Sequence, residues 1–121
     1  DLEPDKPHYT AVARELAEIV SPDRPMVIID TNGTGESAVI TRYYMKRKNI
    51  PYVAAFQKQT LEVVQKMMRM QGDQTQVLIH SITPEIKRYF AGRLSNGNSY
   101  LLTWDEDHWR VVRQWPYPKK P

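Results

Sequence analysis

The residues best suited to chemistry gather in one short stretch, Asp30-Thr-Asn32-Gly33-Thr34-Gly35-Glu-Ser37. It follows an apolar run, Met26-Val-Ile-Ile, and leads into a helical pattern. A glycine-bearing loop between a strand and a helix turns backbone N–H groups toward the helix N-terminus, a natural seat for an anion. Gly33 and Gly35 would let those amides turn inward, and Thr34 and Ser37 could add hydroxyl contacts. The plainer explanation is a tight turn in which Thr34 or Asn32 caps the helix, and geometry takes precedence over a ligand. Further on, His80 ends another apolar run, with Thr83 three residues later. His80 lies where Asp30 and Ser81 could reach it for acid–base work, but a polar residue at a strand end is commonly a simple loop residue.

The recognised phosphate motifs do not fit well. Gly33-Thr-Gly35-Glu-Ser-Ala38 matches the G-x-G-x-x-G/A dinucleotide pattern in form only. Thr31 and Asn32 lengthen the turn, and the second apolar run ends at Phe56-Gln57-Lys58 without an acid for a ribose. No lysine follows Gly35, so the P-loop pattern fails. The expectation is no cofactor and no metal: His8, His80 and His108 lack ligand spacing, and there is no cysteine. Ser37 and Ser81 lack the sharp elbow of a nucleophilic serine. No catalytic residue can be named, and whether the chain is an enzyme stays open.

The elements that must position these residues follow from hydrophobic period. Tyr9, Val12, Leu16, Ile19 and Val20 predict a helix over 8–20, stopped by Ser21-Pro-Asp-Arg-Pro25. Residues 26–29 read as a strand covered on both faces. A helix from Glu36 carries Val39, Ile40, Tyr43 and Tyr44, with a basic last turn and Asn49 as its cap. Residues 52–56 form a second strand, and Leu61, Val64, Met67 and Met68 mark a third helix, closed by Gly72. Residues 77–79 form a third strand. Thr83-Pro84-Glu85 opens a helix through a side-chain cap, a first-turn proline and an early acid. Ile86, Tyr89, Phe90 and Leu94 form its apolar side, and Asn96-Gly97 ends it. Residues 99–104 and 109–115 alternate as a hairpin across 105–108, with Trp109, Val111 and Trp115 on one face.

Alternating helices and strands at this spacing predict an α/β fold, a three-layer Rossmann-like or flavodoxin-like sheet. Its parallel strands should run in order 2-1-3, extended beyond strand 3 by an antiparallel C-terminal hairpin. Residues 1–7 read as a linker, 8–115 as one domain and 116–121 as a Pro/Lys-rich tail. In such a sheet ligands sit beyond the carboxyl ends of the strands, which places Asp30–Ser37 and His80–Thr83 on one rim.

Composition bounds the rest. Of 121 residues, 40% are apolar and 26% charged, and the net charge is +3. Arg42, Lys46, Arg47 and Lys48 beside Tyr43 and Tyr44 could serve nucleic acid, but 14 acids nearly balance 17 bases, and nucleic acid is not the expected partner. No apolar run approaches the roughly 20 residues of a membrane span. The chain begins at Asp1 without methionine, as a mature product or a piece of something longer would.

Tyr9-Thr-Ala-Val-Ala-Arg-Glu-Leu-Ala-Glu-Ile-Val, Arg24-Pro-Met-Val-Ile-Ile-Asp30, Ile40-Thr-Arg-Tyr-Tyr-Met-Lys-Arg47 and Trp109-Arg-Val-Val-Arg-Gln-Trp115 follow in that order. Together they resemble the soluble C-terminal extracytoplasmic region of bacterial multi-spanning, lipid-phosphate-sugar-dependent glycosyltransferases. The resemblance implies an accessory domain on the extracytoplasmic (periplasmic) side of a bacterial membrane. Its partners would be a membrane-embedded parent domain and a glycan or lipid-linked sugar. It carries over no catalytic residue, since that family's catalytic acid lies between membrane helices. A free-standing domain binding a phosphorylated small molecule or nucleotide at Asp30–Ser37 is the alternative. Ser37-Ala-Val-Ile-Thr-Arg-Tyr-Tyr-Met-Lys-Arg-Lys-Asn-Ile-Pro51 is also similar to the leading half of caspase-like peptidases, but without cysteine that chemistry is absent.

Overall fold

Two stripes of apolar residues along each central strand, pointing to opposite faces, decide the architecture. The computed structural model describes residues 5–31, 34–54, 58–71, 74–90 and 93–119. In chain order the elements are α1 (Lys6–Ile19), β1 (Met26–Ile29), α2 (Glu36–Met45), β2 (Tyr52–Val53), α3 (Lys58–Gln71), β3 (Gln76–Ile79), α4 (Pro84–Tyr89), β4 (Asn98–Asp105) and β5 (His108–Pro116). They form a mixed α/β structure around an open five-stranded sheet of order β2-β1-β3-β4-β5. β2, β1 and β3 are parallel, and β3-β4 and β4-β5 are antiparallel. The expected 2-1-3 order and the edge hairpin are both present.

Every residue of β1 and β3 is buried, as a strand with helices on both sides requires. Met26, Ile28, Leu78 and Leu101 join Val12 and Leu16 of α1 and Ala38 and Met45 of α2 in one core. Val27, Ile29, Val77, Ile79 and Leu102 join Val64 of α3 and Ile86 of α4 in the other. Each such side chain removed from water is worth about 2 kcal/mol, so both faces hold the sheet. No helix among the described residues is long and apolar enough to cross a membrane.

Several ends differ from the pattern-based expectation. α2 stops at Met45, before Asn49, because Lys46 adopts a left-handed conformation at φ 56°. The Arg47 amide donates to the Arg42 carbonyl at 3.0 Å and the Lys46 amide to the Tyr43 carbonyl at 3.2 Å, the Schellman pattern with lysine in the usual glycine position. The Arg42 guanidinium then binds the Ile50 carbonyl through Nε and Nη2, at 2.9 and 2.6 Å, and ties the helix end to the following loop. β2 is two residues long; of the expected strand 52–56, Ala54 is not part of it and 55–56 lie outside the described residues. α4 ends at Tyr89, although Phe90 and Leu94 still pack on the core. Gly72 lies outside the described residues.

The hairpin carries the one reversal of side-chain placement. A bulge between Leu101 and Leu102 pairs Leu102 with Val111 but Leu101 with Arg113, leaving Val112 as the extra residue. An inserted residue inverts the alternation beyond it. Trp109 and Val111 therefore face the α3/α4 side, while Arg113 and Trp115 face α1, against the expectation of one shared face. The Trp115 indole donates to Glu15 at 2.7 Å, and Arg113 pairs with the same carboxylate at 3.2 Å. Trp109 packs against Phe90 and Trp104, with ring centroids 4.9 and 5.4 Å apart. None of the three tryptophans is fully exposed. β5 continues to Pro116, and Tyr117 beyond it packs against the cluster of Tyr9, Ala13 and Ile40.

Candidate functional site

Alternation carries one face of each strand on to the carboxyl edge. After Ile28 comes Asp30, after Leu78 comes His80, and before Leu101 comes Ser99, all on the α1/α2 side. The ladder runs one residue past the strands, since the Asp30 amide donates to Val53 O and the His80 amide to Ile29 O, both at 3.0 Å. Asp30 and His80 are each 1% exposed, and Ser37 and Ser99 are fully buried. The rim expected from the sequence exists as a place, but Asp30, Ser37 and His80 are buried in it.

On the β1 side, the Ser37 hydroxyl donates to Asp30 Oδ2 at 2.6 Å, and the Tyr52 hydroxyl donates to the Asp30 carbonyl at 3.1 Å. Burial, reinforced by the Asp30 charge, pushes the Tyr52 hydroxyl pKa up. Gly35, at φ 71°, is the N-cap of α2, and as a glycine it brings no capping side chain. Glycine is required there by the backbone, because a Cβ would meet the Tyr52 ring only at an ordinary 3.7 Å. Thr34 is exposed and accepts from the Glu36 amide at 3.4 Å. Asn32 and Gly33 lie outside the described residues.

On the β3 side, the Ser81 hydroxyl turns away from His80 to Thr31, accepting its amide at 2.8 Å and lying 2.6 Å from its hydroxyl. Thr83 caps α4, accepting from the Ile86 amide at 3.3 Å, so its hydroxyl does structural service. His80 Nδ1 lies 2.8 Å from Ser99 Oγ, and His8 Nε2 lies 2.8 Å from the same oxygen. The serine hydroxyl thus bridges two imidazoles. Having one proton, it can donate to one ring only and must accept from the other.

Tyr117 closes the cluster. Its ring stacks on His8 at 3.8 Å, and its hydroxyl donates to the His80 carbonyl at 2.6 Å. The Tyr9 ring meets His80 edge-on at 4.7 Å. Burial drives the Tyr117 hydroxyl pKa strongly up, with Tyr9 and Asp30 adding to the effect and the Ser99 hydrogen bond opposing it. Burial also lowers the pKa of His8, partly offset by Asp5. For His80, burial and the neighbouring His8 pull it down to about 3. Both rings are neutral at physiological pH, and His80 Nε2 has no hydrogen-bond partner among the described residues.

The structure therefore brings together His8, Tyr9, Asp30, Ser37, His80, Ser99 and Tyr117, of which Asp30, Ser37 and His80 were singled out by sequence. It does not join Asp30 to His80 as an acid–base pair. His8 looked like a helix-start residue and Tyr117 like tail. The one hint was an aromatic between prolines in an otherwise basic end, Pro116-Tyr117-Pro118. Among the described residues no group of three or more His, Cys, Asp or Glu could hold a metal ion. No protein-family model matches the chain, and no curated protein or solved structure matches it significantly.

Proposed function

We propose that this chain is a binding or accessory domain of a larger membrane-bound glycosyltransferase, positioning an acceptor or partner and not performing chemistry by itself. The observation that carries the non-catalytic part is the closure of the carboxyl edge. A general base must come within hydrogen-bond reach of a substrate proton. Here His80 is 1% exposed, bound through Nδ1 to Ser99 and covered by Tyr117. The strand order and the helices on both faces fit a flavodoxin-like member of the Rossmann-like sheets, whose ligand crevice lies at this edge. In this chain Asp30 and His80 at that edge are buried. The glycosyltransferase part rests on the resemblance of the α1, β1, α2 and β5 segments, which also supports an extracytoplasmic location beside a membrane-embedded parent. A phosphorylated ligand is the weaker reading, because Asp30 and Ser37 are buried and bonded to each other.

The test is the longer reading frame expressed in membranes. Glycosyl transfer from a lipid-phosphate sugar is expected with the intact protein. Removal of residues 8–115 should reduce it while leaving the remainder membrane-inserted. A reading frame without apolar runs of about 20 residues refutes the proposal, as does sugar transfer by the isolated chain. Amide shifts at Gly35 on titration with a sugar phosphate would instead favour the small-molecule reading.

A further inference from the structure

α2 buries Ser37, Ala38, Ile40, Thr41 and Met45, and its opposite side presents two apolar residues one turn apart. Val39 is 65% and Tyr43 75% exposed, standing proud of a helix whose other apolar side chains are covered. Around them stand Arg42, Lys46, Arg47 and Lys48, which with Val39 and Tyr43 line an open hollow of about 500 Å³. The segment from Ser37 to Lys48 contains no acidic residue. The two arginines are held by backbone carbonyls and not by carboxylates: Arg42 by Ile50, and Arg47 by Arg24 at 2.7 Å. Their charge is thus fixed in place and not neutralised. Lys46 and Lys48 have no ion-pair partner among the described residues, and Glu15, Glu85, Asp105 and Asp107 pair elsewhere.

We propose that this face of α2 docks on an anionic phospholipid surface. The complementarity is of two kinds at once. Four cations meet the headgroup phosphates, where each basic side chain adds attraction that decays within a Debye length. Val39 and the body of Tyr43 enter the boundary between headgroups and acyl chains, a depth that suits tyrosine because its apolar ring ends in a polar tip. A partner helix would need an apolar stripe longer than two residues. A nucleic-acid strand would use the Tyr43 ring but gain nothing from Val39. A lipid surface uses every exposed group of the patch. The inference goes beyond the accessory-domain reading and does not depend on it, so vesicle binding and glycosyl transfer can fail separately.

The experiment is co-sedimentation of the full chain with vesicles of equal phosphatidylglycerol and phosphatidylcholine, and with phosphatidylcholine alone. Binding is expected only to the anionic vesicles and should fall steeply as salt is raised. Lys46→Glu/Lys48→Glu should weaken it by about thirtyfold or more, and Tyr43→Ser should weaken it without changing the salt dependence. Circular dichroism establishes that each variant is folded. Lys66→Glu/Arg69→Glu, an equal change of net charge on exposed positions of α3, should leave most of the binding intact. Absence of binding to anionic vesicles at low salt overturns the proposal. So does equal loss in both double variants, or capture of a single-stranded RNA or an acidic peptide with the vesicles left untouched.

Discussion

Lowering the pH from 7.5 to 5 is expected to weaken this fold by about 2 kcal/mol through His80 alone. The ring is buried between α1 and the sheet, with His8 and Tyr9 on α1, Asp30 beyond β1, Ser99 on β4 and Tyr117 after β5 around it. Burial first, and then His8, holds its pKa near about 3, against an ordinary 6.5 once the chain unfolds. Above pH 6.5 neither state binds the proton and stability is at its plateau. Below 6.5 the unfolded state takes a proton that the native state refuses, so stability falls by about 1.4 kcal/mol per pH unit until the native ring titrates near pH 3. About one and a half units of that window are traversed by pH 5. Such a loss is large beside the roughly 5–15 kcal/mol that holds an ordinary domain together. His8, also lowered by burial, adds in the same direction. The assay is urea unfolding followed by tryptophan fluorescence at several pH values between 7.5 and 5, a range chosen above the carboxylate titrations. The midpoint should move steadily downward below pH 6.5 at constant m. His80→Gln, which retains a hydrogen-bonding side chain, should flatten much of that slope even if it lowers the plateau. A native protein with no slope across this range, or a His80→Gln variant that keeps the whole of it, would refute the argument that His80 is sealed and neutral.

Two further perturbations probe the same architecture. Ser99→Ala removes the hydroxyl shared by His8 and His80 and leaves buried ring nitrogens unpaired; a loss of about 2–4 kcal/mol in urea unfolding is expected, and a loss below 1 kcal/mol would show that the bridge is dispensable. Deleting Gln114, just beyond the bulge, turns Trp115 and Tyr117 toward the wrong face, so the protein should lose cooperative unfolding, whereas deleting Val112, the extra residue, leaves Leu101 opposite Arg113 and Ser99 opposite Trp115 and should keep it. If the Gln114 deletion unfolds as sharply as the parent, the facing of Trp115 and Tyr117 does not hold the fold together.

Much of the fold was legible because neighbours in sequence carry it. The continuous run Met26–Ile29 announces a strand buried on both faces, Thr83-Pro84-Glu85 announces a helix start, and the spacing of helices between parallel strands limits the order to 2-1-3. Even the rim at Asp30 and His80 follows, since the carboxyl end of a strand is where its buried run stops. The local devices that trim elements were harder to read. Lys46 in a left-handed turn contradicts its residue type and is tolerated because two backbone bonds and the Arg42 guanidinium secure the turn.

What the rim is made of was decided by tertiary structure. Hydrophobic period reports which way a side chain points relative to its own element, and it says nothing about which distant polar group will be opposite. His8, Ser99, His80 and Tyr117 come from α1, β4, the end of β3 and the segment after β5, and they meet only when the sheet closes under α1. The Val112 bulge completes this, because one unpaired residue turns Trp115 toward Glu15 and Tyr117 toward His80 without leaving any mark in the alternation. The sequence alone determined a strand–loop–helix with a glycine turn at Asp30–Ser37. The assembled fold determined that Asp30 and Ser37 are bonded to each other in the interior.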